Sequence, residues 1–419
     1  MAPFLAALGH RGRRRWAPLY MEGLLGPGDR KSVQPMAARI APDDHVRLHH
    51  FIATSPWDAA PIETALAHEA ERLVGGSDAV LIIDDPSLLK QGTHSVGVTR
   101  QYSGQAGKRT NCQTLVSLTL ARGEVPVPVA LRLFLPEEWT QAPARLRRVG
   151  VPAAAHAYRV KGAIALAELD RLRAADVTFG TVLADAGYGA SAAFRQTLTT
   201  RDLTWAVGIV RTQKVFPAEV RLRTPRPTRG RPRRHGVPSH VSRGADEVLA
   251  TARWRTGTRG PLHAKFTAVR VADGPLAAKG QHLPGDLAWL VGEWRTHGAR
   301  KYHLTNHPAG TPLRTLAAAI KAQWVCEQAH QQLKEELGLD HFEGRSWLGL
   351  HHHALFTMLA FTFLQHHRLR SRRGKKRQAR GHHPSRPSPP FGARSSPPCA
   401  RRCGCAAPPA VRMLYHPRP

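Results

Sequence analysis

The spacing of hydrophobic positions predicts two short helices near the start of the chain. Apolar residues recur at helical intervals over residues 33 to 40 and again over residues 44 to 53, with Ala41, Pro42 and Asp43 between them. This pattern is compatible with a helix-turn-helix-like arrangement. A plain helical subdomain that packs on the core fits equally well, so both interpretations stay open.

From Ala79 the pattern becomes that of strands. Residues 79 to 83 are a continuous apolar run, typical of a buried strand, and the run ends in Asp84 and Asp85. Alternating segments broken by Gly and Pro follow at residues 94–104, 111–123 and 125–136, and an Ala-rich helical stretch at 153–175 leads to a further strand at 179–189. This order predicts an α/β protein with a mixed sheet flanked by helices.

The remaining pattern divides the chain into five regions. Strand-like segments return between residues 211 and 305 after a loop rich in Pro and Arg, which predicts an inserted β-rich subdomain. One long helix is then predicted from an N-cap at Thr311, with Pro312 at its first position, to a stop at Gly338. The expected regions are 1–75 (helical, DNA-binding), 76–210 and 306–370 (two parts of one core), 211–305 (the insertion) and 371–419 (a basic, Pro-rich, disordered tail).

The net charge of the chain indicates the class of its binding partner. The 419 residues include 61 Lys and Arg against 30 Asp and Glu, a formal net charge of +31, which favours nucleic acid over membrane as the partner. The best apolar run, residues 354 to 364, is shorter than the span of about 18 residues that a membrane helix needs. Five scattered cysteines do not form a disulfide framework. We therefore expect a cytosolic protein without membrane contact.

Two strand ends carry candidate catalytic acids. Successive side chains of a strand point to opposite faces, so Asp84 and Asp85 diverge, and we interpret Asp84 as the outward neighbour. Asp185 follows a second strand and precedes a turn containing Gly187 and Gly189. An aspartate at a strand end is commonly a turn former or a helix cap, so neither position alone indicates catalysis.

The predicted long helix contributes a third acid, Glu327. It lies at helical spacing on the apolar stripe formed by Leu313, Leu316, Ile320 and Trp324. Lys334 follows seven residues later on the same face, which is about two turns and far for a direct ion pair. A buried acid without a partner is costly, and divalent metal would neutralise it. Two aspartates and one glutamate can hold two Mg²⁺ ions for phosphodiester chemistry.

Four segments together resemble a known family, the D-D-E transposases of bacterial insertion sequences. They are the stretches at residues 82–113, 183–189, 254–260 and 323–354. The resemblance implies a ribonuclease H-like core that uses Mg²⁺, with Mn²⁺ as the alternative ion. It also implies that the protein binds double-stranded DNA, both the terminal inverted repeats of the element and the target, as a homodimer.

Carried over position by position, the resemblance implies that Asp85, Asp185 and Glu327 are the catalytic and metal-binding acids. Lys334 matches the lysine of the family's helix signature and implies a contact with DNA phosphate. Trp324 resembles the aromatic residue of the signature's Arg-Trp pair, and Gln323 stands at the arginine position, so both are expected at the DNA.

The chain also departs from the family pattern, which leaves other functions open. Ile320 stands at the signature's tyrosine position, Gln323 at its arginine position, and Pro86 where a threonine normally follows the first aspartate. Gln323 can hydrogen-bond but brings no charge to a phosphate. The expected function is a transposase that cleaves element ends and joins the 3′-hydroxyl to target DNA. The alternatives are a catalytically impaired DNA-binding remnant and a structure-selective nuclease with the same core.

Two further groups of residues are expected to be structural. Three consecutive histidines at residues 351–353 cannot all share one helix face, so metal binding there is the minor interpretation. Trp254, Trp289 and Trp294 are interpreted as core residues of the β-rich segment, with base stacking as the alternative.

Overall fold

The computed structural model describes residues 2–223, 236–257, 264–275, 281–295 and 298–381. Met1–Ser371 form one compact unit, and the fold described below is that of this unit. Of the tail predicted to be disordered at residues 371–419, residues 371–381 are helical and the rest lies outside the described residues, as does most of the Pro- and Arg-rich loop.

The described strands are β1 Gly76–Asp84, β2 Ser87–Leu89, β3 Thr99–Ser103, β4 Lys108–Arg122, β5 Val125–Leu133, β6 Phe179–Ala184, β7 Trp205–Ile209, β8 Lys214–Pro217, β9 Leu222–Arg223, β10 Val237–Pro238, β11 Arg243–Gly244, β12 Arg255–Gly257, β13 Ala264–Asp273, β14 Leu287–Arg295 and β15 Arg300–Thr305. The described helices are α1 Ala2–Ala7, α2 Arg11–Leu25, α3 Val33–Ile40, α4 His45–Ala53, α5 Ala60–Val74, α6 Glu137–Thr140, α7 Pro143–Arg148, α8 Lys161–Ala174, α9 Ala186–Gly189, α10 Ala192–Thr199, α11 Ala245–Ala250, α12 Leu313–Lys321, α13 Trp324–Glu335 and α14 Trp347–Gly381.

The centre of the fold is a mixed sheet with strand order β5-β4-β1-β6-β7. Strands β4 and β5 run antiparallel to their neighbours, whereas β6 is parallel to β1 and β7 is parallel to β6. A helix, α8, connects the antiparallel part to the parallel part, as a crossover between separated strands requires. This order and direction are those of a ribonuclease H-like sheet, so the predicted fold class is confirmed.

Strands from the segment 211–305 continue the same sheet. β15 pairs antiparallel with β7, with Tyr302 opposite Ile209, and β14, β13, β8 and β11 follow in order beyond it. The segment is therefore rich in strands, and its strands share backbone hydrogen bonds with the central sheet.

Alternating residues of β1 belong to two different cores. Leu81 and Ile83 pack in a cluster with Leu169 and Leu172 of α8, whereas Ile82 packs in another cluster with Leu316 of α12. Since neighbouring side chains of a strand point to opposite faces, α8 covers one face of the sheet and α12 covers the other. This division decides where the acids at the strand end point.

The predicted long helix is broken, which corrects its apolar stripe. α12 ends at Lys321 and α13 begins at Trp324, with the amide of Ala322 donating to the carbonyl of Ala318 at 3.1 Å. Beyond the break the helical phase changes, so the side chain of Trp324 is 42% exposed and Val325 and Cys326 are buried instead. Trp324 therefore does not continue the stripe of Leu316 and Ile320.

The N-terminal helices form a third core with α14. Tyr20, Phe51, Trp57 and Phe356 make edge and stacked contacts there, with ring centroids 5.4–6.4 Å apart. The two helices predicted near the start of the chain are α3 and α4, joined by a single 3₁₀ turn at Pro42–Asp44. Among the described helices, none combines the length and apolar character needed to cross a bilayer.

Candidate active site

Four carboxylates line one cavity at the ends of the central strands, and one of them is Asp246 in α11. Asp84, Asp185 and Glu327 face a space of about 760 Å³ between β1, β6, β7, β15 and α13. Asp84 shares the strand face of Ile82, and Asp185 shares that of Leu183, which lies in the same core cluster. Both aspartates therefore point to the side covered by α12 and α13, where Glu327 lies.

The carboxylate of Asp84 is held from two directions. Its Oδ1 accepts a hydrogen bond from the backbone N–H of Asp85 at 2.9 Å, and its Oδ2 lies 3.4 Å from His330 Nδ1. Burial favours the neutral acid, but His330 and this backbone N–H outweigh burial and lower the pKa of Asp84. The pKa of His330 is in turn raised to about 10, since Cys326 and Asp84 outweigh the effect of burial.

Asp185 caps the short helix that follows its strand. Its Oδ1 accepts from the backbone N–H groups of Gly187 at 2.9 Å and Tyr188 at 3.3 Å, so the capping interpretation and the cavity position both hold. The turn packs tightly on β7: a Cβ at Gly189 would lie 1.9 Å from the carbonyl oxygen of Gly208. Burial and the negative charge of Asp84 raise the pKa of Asp185 to about 6.

Glu327 lies in the first turn of α13 and is exposed to solvent at the cavity. This corrects the prediction of a buried glutamate facing the sheet, because the break before Trp324 turns Val325 and Cys326 to the core instead. Gln323 lies beside Glu327 on the cavity wall. A solvent-facing glutamate can reach toward a ligand without a prior desolvation cost.

Asp85 points to the opposite face of the sheet. Its carboxylate accepts hydrogen bonds from Lys161 Nζ at 2.7 Å and from the hydroxyl of Tyr188 at 2.5 Å. It lines a separate cavity of about 540 Å³ with Phe134 and Phe194. The structure thus exchanges the directions that the sequence assigned to the two aspartates, with Asp84 facing Asp185 and Glu327, and Asp85 paired with a cation on the α8 side.

Exposed cations rim the cavity that the three carboxylates share. Arg211, Arg300 and Lys301 line its wall, and within the described residues none of the three forms an ion pair. Lys334, expected at a DNA phosphate, lies further along α13 and donates to Gln105 Oε1 at 3.0 Å. Burial lowers the pKa of Lys334.

Several residues at the site were missed from the sequence. The sequence pattern predicts Asp84 as the outward neighbour and does not single out His330 or Cys326. His330 lies three residues after Glu327, a spacing that places two side chains on neighbouring parts of one helix surface and could have drawn attention to it. Cys326 Sγ lies 3.5 Å from His330 Nε2, so the two residues form a cluster with Asp84 beneath the cavity.

The three consecutive histidines have structural partners. His353 bridges the hydroxyl of Tyr20 at 2.8 Å and the carbonyl of Gly338 at 2.9 Å. His352 stacks on Trp57 with ring centroids 3.4 Å apart. Burial lowers the pKa of both histidines to about 4, so they pack as neutral rings.

The tryptophans of the β-rich segment stack with cations. The rings of Trp254 and Trp294 meet edge to face at 5.7 Å, and the guanidinium of Arg300 lies 4.4 Å from the ring centroid of Trp294. Arg270 lies over the ring of Trp289 at 5.5 Å. The partly buried ring of Trp294 therefore holds Arg300 beside the cavity by a cation–π contact.

Comparison with known proteins gives two matches. A family described as "DDE superfamily endonuclease" matches residues 3–261, more than half of the chain. A curated protein of Microchaete diplosiphon, "Probable transposase for insertion sequence element IS701", is 29% identical over 188 residues. That match covers 45% of this chain and 46% of the relative, so the chain spans about half the length of the curated relative it matches.

Proposed function

Because the chain belongs to the DDE superfamily of endonucleases, we propose that it is a transposase that cleaves the ends of an insertion sequence and joins them to target DNA. The observation that carries this proposal is the meeting of Asp84, Asp185 and Glu327 around one open cavity. Element, substrate and two-protomer assembly on paired ends are parts of the proposal that follow from the family and its transposase relative. DNA as substrate implies action in the cytoplasm of a bacterium, at the nucleoid.

The three carboxylates fit a divalent hard cation. They offer only oxygen donors, the type that Mg²⁺ and Mn²⁺ prefer. Burial and the negative charge of Asp84 raise the pKa of Asp185, and a bound cation would offset both effects. If these residues held a pair of such cations, the pair would supply the charge that activates the attacking oxygen and stabilises the leaving oxygen of a phosphodiester. We assign Asp84, Asp185 and Glu327 as the residues that hold them, in place of the sequence-based set with Asp85.

The protein's own residues prepare this site. Hydrogen bonds from Gly187 and Tyr188 fix one oxygen of Asp185 and leave the other free for a ligand. His330 fixes the orientation of Asp84 from below. Glu327 is solvent-exposed, so its carboxylate completes the site from the side opposite the strand ends.

The cations around the cavity would hold the DNA backbone. Arg211, Arg300 and Lys301 can bind phosphates on either side of the scissile bond. The net charge of +31 supports electrostatic binding of DNA that does not depend on the base sequence. Gln323 can donate to a phosphate or base at the cavity wall, and the exposed ring of Trp324 can stack on a nucleotide. Lys334 contributes a further positive charge on the same helix.

The test uses DNA that carries the inverted repeats flanking the coding frame. Wild type and Asp185→Asn are compared for cleavage and strand transfer with Mg²⁺ and with Mn²⁺, and we expect both products from the wild type alone. Absence of metal-dependent products from the wild type would favour the DNA-binding remnant. Cleavage without joining would favour the nuclease.

A further inference from the structure

A buried cluster beneath the cavity contains a different set of donor atoms. Asp84, Cys326 and His330 each offer one ligand atom, and these atoms lie within 4.8 Å of one another. Cys326 is fully buried and His330 is 6% exposed. Within the part of the chain that the structure describes, this is the one group of three such donors whose ligand atoms all lie within 4.8 Å of one another, so the carboxylates of the cavity are spaced more widely.

A hydrogen-bond relay fixes how His330 presents its ring. The hydroxyl of Ser117 has a single hydrogen, which it donates to the main-chain oxygen of Asp84 at 3.1 Å. With this hydrogen on the Asp84 oxygen, Ser117 Oγ accepts from His330 Nε2, which lies 2.8 Å away. Once the ring has lost its second proton, the lone pair lies on Nδ1, which is 3.4 Å from Asp84 Oδ2 and 4.0 Å from Cys326 Sγ; Sγ lies closer to Nε2, at 3.5 Å.

The spacing of these donor atoms resembles that of the protein ligands around a transition-metal ion. Bond lengths of about 2.0 Å to nitrogen or oxygen and about 2.3 Å to sulfur place the ligand atoms of a tetrahedral ion roughly 3.3 to 3.8 Å apart. The 3.4 Å separation between His330 Nδ1 and Asp84 Oδ2 lies within that range, and the 4.0 Å separation between His330 Nδ1 and Cys326 Sγ is slightly longer. A second partner on the far ring nitrogen, here Ser117, is the usual way that proteins orient a metal-binding histidine.

We propose that Asp84, Cys326 and His330 bind one ion of the Zn²⁺ class, and that this ion withdraws Asp84 from the carboxylates of the cavity. On binding, the thiol of Cys326 and the protonated ring of His330 each release one proton to solvent, and water from the cavity takes the fourth position. Sulfur and imidazole select a softer ion than Mg²⁺, so the two sites differ in donors but share Asp84. The competition rests on the proposed function, whereas the binding does not.

Binding is tested with Co²⁺, whose thiolate complexes absorb in the near ultraviolet. The background is the full chain with Cys399, Cys403 and Cys405 replaced by serine, so that the C-terminal cysteines contribute nothing. We expect a saturable thiolate band in this background, in Cys112→Ser and in Asp185→Asn, and its loss in Cys326→Ser. Serine keeps the size of the buried side chain, and circular dichroism checks the fold.

A background protein without the band would overturn the proposal, and so would a band that persists in Cys326→Ser. Competition is measured separately by electron paramagnetic resonance of bound Mn²⁺. We expect Zn²⁺ to displace Mn²⁺ from the background protein and to need at least about 10-fold higher concentration in Cys326→Ser, as for a change that removes a ligand of the competing ion. Equal displacement from both proteins would contradict the shared use of Asp84. Failure of the background protein to bind Mn²⁺ would instead contradict the proposed function, and the cobalt band would still decide the cluster.

Discussion

At the scale of single residues, the two adjacent aspartates have opposite surroundings. Asp84 faces the cavity with Asp185 and Glu327, whereas Asp85 is paired with Lys161 and receives the Tyr188 hydroxyl. Tyr188 lies on the turn that starts at Asp185, so Asp85 ties the end of β1 to that turn. We infer that Asp84 binds metal and that Asp85 positions its neighbours.

This difference predicts unequal effects of two matched substitutions. Asp84→Asn should lower DNA cleavage by more than about 100-fold, since loss of a metal-holding charge removes several kcal/mol of transition-state stabilisation. Asp85→Asn keeps an acceptor for Tyr188 and should lower activity by about 10- to 100-fold, as for residues that orient a ligand. Calorimetric titration with Mn²⁺ separates the roles: binding should vanish in the first variant and persist in the second. The reverse pattern would restore Asp85 as the metal ligand.

The raised pKa of Asp185 predicts that the stability of the metal-free protein depends on pH. Its folded pKa is about 6 against an ordinary value of 3.8, so the folded chain holds this proton more tightly than the unfolded chain does. The stability that the proton contributes is full below about pH 4 and is lost as the pH rises through about 6. With EDTA present, Asp185→Asn should therefore have a higher Tm than wild type at pH 7, and the difference should shrink by pH 4.

The control for this prediction is the same pair of proteins with Mn²⁺. At pH 7 the ion should raise the Tm of wild type and leave that of Asp185→Asn nearly unchanged, because a ligand stabilises only the state that binds it. If metal-free Asp185→Asn melted at a lower temperature than metal-free wild type at pH 7, the ionised carboxylate of Asp185 would not destabilise the fold.

At the scale of elements, the break between α12 and α13 sets which side chains reach the core. Leu316 is 1% exposed in the cluster on the cavity side of the sheet, whereas Trp324 is 42% exposed at the start of α13. Leu316→Ala should lower the free energy of unfolding by about 2 to 5 kcal/mol, through lost burial and the cavity left behind. Trp324→Ala should change it by less than about 0.5 kcal/mol, as for a surface position.

Chemical denaturation measures the stability of both variants, and a DNA-binding assay adds the functional contrast. We expect Trp324→Ala to weaken binding of DNA while the fold is kept. Were Trp324→Ala to cost as much stability as Leu316→Ala, the continuous apolar stripe predicted from the sequence would be correct after all.

The sequence indicated where strands and helices lie, but it indicated much less about which face of each one points to the cavity. The apolar run before Asp84 and the strand before Asp185 predicted a sheet with acids at its edge, because burial and alternation are local signals. Which aspartate faces the cavity depends on which side of β1 the helix of Leu316 covers, and that contact joins residues more than 230 positions apart. The helix break has neither Gly nor Pro at Ala322 and Gln323, so no local signal marked it.

At the scale of the whole molecule, the excess of positive charge predicts how DNA binding responds to salt. Each phosphate contact releases condensed counterions, and the logarithm of the binding constant falls with the logarithm of salt concentration by about 0.9 per contact. Arg300 and Lys301 lie at the cavity as exposed cations, so Arg300→Gln with Lys301→Gln should reduce this slope by about 2.

A matched control is Arg173→Gln on α8, which covers the opposite face of the sheet. Its exposed guanidinium contributes to the same net charge but lies away from the proposed path of the DNA, so its slope should equal that of wild type. Binding is measured by fluorescence anisotropy from low to physiological salt, with the Tm of each variant as the check on folding. Equal salt dependence of DNA binding in all three proteins would mean that the positive charge of the protein attracts DNA only at long range. The phosphates of the bound strand would then not pass beside Arg300 and Lys301.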